Sequence, residues 1–359
     1  MLKKSKRSLL VKAGVVVTAI ALSAGITVPA NASSISGNGS SAVKNLLDVC
    51  IPAWSKWSSH NLSYPGAGSG AGRAAFLAGT VDLAFSDTPY SSTDKKPDNF
   101  VYIPASQFPI AVYANLPGFT GKLNLSPTTV SKIFAGKITK WNDPAIVADN
   151  TDAKTKKKTA MPNLAITVYY RFDKSGTSEV FTDWLSQLDK ATWTKGKNGT
   201  FTSAFPGTVP AGTFQSGNAS DGVANGVKSM SGAIGYGEVS YANERKLVVA
   251  NLKNNNGEFV APTSAATSLF VNGYAAGENG TIKLDYTKKI KGSYTLASYA
   301  YALAFTKEAG KNVGTQAVVK QFIDYVVNDC ATENAAKLGY SKLSGALLKL
   351  ADDQIAKIS

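Results

Sequence analysis

The chain has 359 residues, with 38 Lys and Arg against 24 Asp and Glu, a formal charge of +14, one histidine and two cysteines. A positive field of this kind gathers small anions without choosing among them. One histidine and two cysteines argue against a His- or Cys-based metal cluster, and no short-period repeat suggests a solenoid.

Lys3, Lys4, Lys6, Arg7 and Lys12 precede an apolar run over 13–28 and the small-residue triplet Ala30, Asn31, Ala32. This pattern predicts a secretory signal peptide over 1–32, cut between Ala32 and Ser33. The run is shorter than the roughly 20 residues a membrane span needs and contains Gly14 and Gly25. No cysteine stands near the cut to be acylated, so the expectation is a soluble, periplasmic or extracellular protein. Removing the leader takes five basic residues, leaving 327 residues at +9, enough for two domains. No further apolar stretch is long enough to cross a membrane. In an oxidising compartment, an even cysteine count makes a disulfide between Cys50 and Cys330 the expectation, against the alternative of two buried thiols.

In chain order, the composition predicts a loop of small residues over 36–41, another over 66–72, and short buried strands over 81–85 and 110–113. Ser126 and Pro127 open a helix that ends near Gly136. The polar stretch 149–160 holds Lys154, Lys156, Lys157 and Lys158 and reads as a solvated loop rather than a polyanion or membrane contact. A strand over 166–170 runs into Arg171, Phe172, Asp173, Lys174, Ser175, Gly176 and Thr177. Val180, Phe181, Trp184, Leu185 and Leu188 then recur at helical spacing. The C-terminal part is more helical, over 318–327 and 343–355. Strands feeding helices argue for the α/β class.

Three loops set hydroxyl residues among glycines ahead of a helix: 36–41, 66–72 and 174–177. Such a loop can turn successive amides to one side, and the helix N-terminus behind it adds positive potential. The second loop lacks the Lys-Ser/Thr pair of a nucleotide-hydrolase loop, which leaves a small anion as the ligand. Arg171 stands four residues before Ser175, with Asp173 placed to orient its planar fork. Asp87, at the end of the 81–85 strand, repels an anion unless that anion brings a proton to share. Monohydrogen phosphate brings one and sulfate does not, so a carboxylate there selects phosphate. His60 lies in the polar stretch 55–63 with no histidine partner and reads as a bystander.

Gly37 to Ser41, Gly66 to Gly70, Val81 to Asp87, Ile133 to Pro144, Arg171 to Thr177 and Gly232 to Tyr236 together resemble the phosphate-binding proteins of bacterial ABC-type phosphate importers. The resemblance implies a periplasmic-binding-protein fold of two α/β lobes, joined by a hinge, with phosphate in the cleft between them. It implies as phosphate ligands Ser41, the amide of Ala42, Ser69, Asp87, Arg171, Ser175, Gly176 and Thr177, with Asp173 orienting the arginine. It further implies a monomer that needs no cofactor or metal and hands phosphate to a membrane-embedded ABC permease, with no catalysis of its own. Two positions depart from the family pattern: Ala42 stands where a large aromatic is usual, and Lys174 where glycine is common.

The loop order places lobe I over 33–108 and 260–359 and lobe II over 109–259, with chain crossings near 105–113 and 248–264. The competing functions are a receptor for another tetrahedral oxyanion, a secreted phosphate scavenger that serves no importer, and an exported phosphatase.

Overall fold

The computed structural model describes residues 32–309 and 313–359. The expected leader, apart from Ala32, lies outside the described residues. The strands are β1 (Ser34–Gly39), β2 (Asn61–Ser63), β3 (Leu83–Ser86), β4 (Phe100–Ala114), β5 (Leu123–Leu125), β6 (Thr167–Arg171), β7 (Phe214–Gly217), β8 (Ala233–Glu238), β9 (Val248–Lys253), β10 (Phe259–Val260) and β11 (Ala297–Phe305). They form a curled mixed sheet whose main path runs β2-β1-β3-β11-β4-β8-β6-β7, with β5 and β10 attached through β9. Parallel pairs flank both ends of this path, and antiparallel pairs through β11 and β4 join them.

The first loop is shorter than its composition predicts. Residues 34–39 are a strand that pairs in parallel with both β2 and β3. Serine and glycine are poor strand formers in isolation, but their small size lets Leu62, Tyr64 and Leu83 close over Gly37. Only Ser40 to Val43 remain as a turn before the helix Lys44–Ser58.

β4 is far longer than the expected strand over 110–113, and all fifteen of its residues are buried. Pro104 and Pro109 lack the amide that a ladder requires and so read as breaks in sequence. The fold accommodates both. The register of β11 on β4 shifts between Ala300 and Tyr301, opposite Pro104, and beyond Pro109 the partner changes to β8, with Ile110 facing Glu238.

The helix expected after Ser126 is Pro127–Phe134, with Ser126 Oγ accepting from the Thr129 amide. Trp54, Trp141, Trp184 and Trp193 are fully buried and anchor the core. The Trp141 indole N–H donates to the Gly232 carbonyl at 2.8 Å. This gives the 133–144 segment a structural role in the core. The lysine stretch is solvated, its Lys154, Lys156, Lys157 and Lys158 all exposed. His60 accepts from the Ser33 amide at 3.0 Å through Nδ1. Among the described residues, no helix is long and apolar enough to cross a membrane.

At the C-terminal side the helix Gln316–Asp324 passes through a wider turn, Tyr325–Cys330, into Ala331–Leu338. Cys330 closes that turn and is bonded to Cys50 on the helix Lys44–Ser58, across a sequence separation of 280 residues. Both cysteines are buried, at 0 and 1% exposure, so a reductant reaches the bond only through unfolding. Non-reducing peptide mapping should yield one cross-linked peptide. Denaturant melts should show the reduced protein less stable by about 2–5 kcal/mol. Two alkylatable thiols in the native, unreduced protein would contradict the bond.

Candidate anion-binding site

Three strand exits converge: that of β1 with Ser40 and Ser41, that of β3 with Asp87, and that of β6 with the segment 171–177. Ser69 begins the helix Ser69–Leu77, and Gly176 begins the helix Gly176–Leu188 with Ser175 as its cap. The side chains of Ser41, Ser69, Asp87, Arg171, Ser175 and Thr177 are each no more than 3% exposed.

Asp87 is the centre of one cluster. Its Oδ1 accepts from Ser40 Oγ and its Oδ2 from Thr177 Oγ1 at 2.7 Å, while its amide donates to Ser69 Oγ at 3.1 Å. Burial pushes the Asp87 carboxyl above its ordinary value, and the hydroxyls of Ser40 and Thr177 with the charges of Arg171 and Arg73 oppose that rise. Gly176 packs so closely here that an added Cβ would lie 2.4 Å from Ser69 Oγ and 2.9 Å from Asp87 Cβ. Only glycine lets the helix N-terminus come this near. The first-turn amides at Gly176 and Thr177 have no partner within their own helix and are available to an anion.

Arg171 is the centre of the second cluster. Its Nε donates to Asp173 Oδ1 at 2.7 Å and its Nη2 to Asp173 Oδ2, a two-point grip that fixes the plane of the fork. The orienting carboxylate is itself held by the Ala219 amide at 3.0 Å. Gly68, at φ +103, passes so near that an added Cβ would meet Asp173 Oδ2 at 2.3 Å. This close approach, together with a backbone bond from the Gly70 amide to the Lys174 carbonyl at 3.0 Å, fastens the second loop to the third. The Lys174 side chain is exposed.

Ala42 differs from the expectation of a free amide donor, because its N–H donates to Ser40 Oγ at 3.0 Å. Behind the first loop, three tyrosine hydroxyls take the place of a single large aromatic. Tyr64, Tyr241 and Tyr340 donate to the carbonyls of Ser40, Ser41 and Ala42 at 2.8, 2.7 and 2.6 Å.

Two participants escape sequence reasoning. Ser40 sits beside Ser41 in the same turn, and nothing local tells which of two adjacent serines faces Asp87. Ser220, fully buried, shares its hydroxyl with Ser41 Oγ at 2.8 Å and accepts from Arg171 Nη1 at 3.4 Å. A signal for it exists: Gly217 ends strand β7, Asn218 takes the cap position of the next helix, and Ser220 is the second residue of that helix, Ala219–Ser229. A strand exit, a glycine, a hydroxyl and a helix start fall together here as they do at 171–177.

A cavity of about 730 Å³ borders Asp87 and is otherwise walled by residues such as Glu179, Asp183, Gln187, Tyr286 and Tyr299. Of the candidate anion ligands only Asp87 touches it. Among the described residues, no group of three His, Cys, Asp or Glu is arranged to hold a metal ion. The chemistry of the site is that of neutral donors, one fixed guanidinium and one carboxylate acceptor, suited to a small oxyanion that carries a proton.

Residues 26–329 match the family described as the PBP superfamily domain. The phosphate-binding protein PstS of Haemophilus influenzae is 36% identical over 236 residues, an alignment covering 66% of this chain and 67% of that protein. The phosphate-binding protein PstS of Methanocaldococcus jannaschii is 30% identical over 307 residues, covering 80% and 77%. The solved phosphate-binding protein of Stenotrophomonas maltophilia superposes with a TM-score of 0.67 over 89% of this chain and 92% of its own, at 23% identity, a likeness of fold. The architecture is thus the two-lobed α/β fold of periplasmic binding proteins, and the chain belongs to the PstS family of phosphate-binding proteins within the PBP superfamily.

Proposed function

We propose that this protein is an exported receptor that closes on inorganic phosphate between its lobes and delivers it to a membrane-embedded ABC permease. The observation that carries this reading is Asp87, a buried carboxylate set among hydroxyl donors and within electrostatic reach of Arg171. Such an acceptor favours an oxyanion that brings its own proton. The PstS relatives named above are phosphate-binding proteins, which supports the same ligand. The ligand set is Ser41, Ser69, Asp87, Arg171, Ser175, Gly176 and Thr177, with the Ala42 amide joining once Ser40 releases it.

We place the lobe boundary where β4 changes partner at Pro109 and Ile110, and the return near residue 260, at the end of β10. Lobe I then comprises 33–108 and 260–359, and lobe II 109–259. On this division the bonds Thr177 to Asp87, Ser41 to Ser220 and Gly70 to Lys174 all cross between lobes, a closed arrangement. Binding without catalysis fits the same geometry. Ser175 Oγ accepts from the Ser178 amide as a helix cap, and His60 is engaged with the Ser33 amide. Neither forms the nucleophile and base pair that a hydrolase requires.

Calorimetric titration should give one phosphate per chain, and excess sulfate should fail to displace it. Small-angle scattering should show the radius of gyration fall on saturation, as phosphate shifts an open population to the closed one. Equal competition by sulfate would favour a general oxyanion receptor, and an unchanged radius would count against closure.

A further inference from the structure

The two helices whose N-termini frame the anion site are joined a turn further back by a buried ion pair. Arg73 lies on the helix Ser69–Leu77, four residues after Ser69, and Glu179 lies in the first turn of the helix Gly176–Leu188, two residues after Thr177. Arg73 Nη1 is within hydrogen-bond reach of Ser86 Oγ at 2.9 Å, Thr88 Oγ1 at 2.8 Å and the Thr88 carbonyl at 3.0 Å. Thr88 Oγ1 in turn donates to Glu179 Oε2 at 2.9 Å, and Arg73 Nη2 stands 3.6 Å from the same oxygen. The side chains are only 5 and 13% exposed. We propose that Arg73, Thr88 and Glu179 form a latch that holds the cleft shut, so that Glu179 is a positioning residue governing how slowly the ligand leaves. This rests on the lobe division and the phosphate reading given above.

Closed and open states differ in what surrounds the Arg73 and Glu179 charges. In the open cleft both charged groups regain water, and Arg73 keeps Ser86 and Thr88, which belong to its own lobe. In the closed cleft the Glu179 carboxylate, 13% exposed at a cavity wall, is largely withdrawn from water and is compensated by Arg73 and Thr88. Removing the charge of Glu179 costs the buried guanidinium its cross-lobe carboxylate in the closed state alone, which moves the population toward open. A simple field effect predicts the opposite sign, since deleting a carboxylate near an anion site strengthens anion binding. The two accounts are therefore separable by direction. Glu179 touches none of the proposed ligand residues through a side-chain bond, so the choice of anion should not depend on it.

The test is Glu179→Gln beside Glu179→Asp, read by stopped-flow release of inorganic phosphate. The Gln variant should release phosphate about tenfold faster, with association within about twofold of wild type and the phosphate to sulfate ratio unchanged, and Asp should recover part of the loss. A second measurement needs no ligand. Both native cysteines are bonded to each other, so single reporter cysteines at the exposed Lys158 and Lys342 can carry spin labels that record the interlobe distance. Glu179→Gln should lengthen that distance in the ligand-free protein. Unchanged release, tighter binding, or an unchanged distance distribution would overturn the latch. If wild type takes up no phosphate, the phosphate reading fails, and the distance measurement still decides the latch by itself.

Discussion

Asp87→Asn is expected to narrow the preference for phosphate over sulfate by at least about tenfold, an interval of roughly 1.4 kcal/mol. Near neutral pH phosphate carries at least one proton, and the hydroxyls and amides that surround the site can satisfy its unprotonated oxygens. Only an acceptor can take the P–OH. An ionised Asp87 forms a charge-assisted bond to it, whereas against sulfate the same carboxylate meets like charge with no hydrogen between. Asparagine keeps the shape, can still accept from phosphate through its oxygen, and can donate to sulfate through its nitrogen. The wild-type preference should also fall with pH. Burial holds the Asp87 carboxyl above its ordinary value, so protonation begins above the usual carboxylate range, and the protonated acid can donate to sulfate as the asparagine does. Calorimetric titration of both anions across pH would measure this. A ratio for Asp87→Asn within twofold of wild type would place the selectivity elsewhere.

Arg171→Ala is expected to weaken phosphate binding by about 2–5 kcal/mol, roughly 30- to 4,000-fold, with a smaller effect on the choice between anions. Arg171 is 2% exposed and brings the full charge that offsets the oxyanion. Its removal also leaves Asp173 without its two-point partner, a negative charge turned loose beside the ligand. Part of the loss therefore belongs to Asp173, and Arg171→Ala combined with Asp173→Ala should bind more tightly than Arg171→Ala alone. Arg171→Lys should fall between, since an ammonium keeps the charge but not the fork. Titration of these variants at fixed ionic strength, with thermal melts to check folding, would decide. Equal affinity for the single and double variants would show that Asp173 contributes no repulsion.

The candidate site is most legible where its signal is local. Arg171, Asp173, Ser175 and Thr177 fall within seven residues, and a strand exit, a glycine and a helix start follow each other there without interruption. Asp87 stands out as a candidate for the same reason, as a polar stop to an apolar strand. Ser220 carries the same local pattern, but its meaning depends on meeting Ser41 across 179 positions. The Arg73 to Glu179 contact is hidden more fully, because a charged residue on an amphipathic helix reads as solvent-facing until its neighbour is known. In the fold, β4 was foreshortened because prolines 104 and 109 break a strand in isolation and are tolerated only by the particular register of β11 and the change to β8. Likewise, the three tyrosines behind Ala42 come from distant parts of the chain, and no window of sequence joins them.

The place of β11 between β3 and β4 bears on how the chain can be made. A protein that emerges N-terminus first has produced both neighbours long before residues 297–305 arrive, so the middle of its sheet is the last part to be filled. Until then β3 and β4 each present an unpaired edge, and these edges are able to recruit a strand from another nascent chain. A ribosomal stop or a proteolytic cut ahead of residue 297 would leave that gap permanent, and a chain stopped there also lacks the Cys330 that pairs with Cys50.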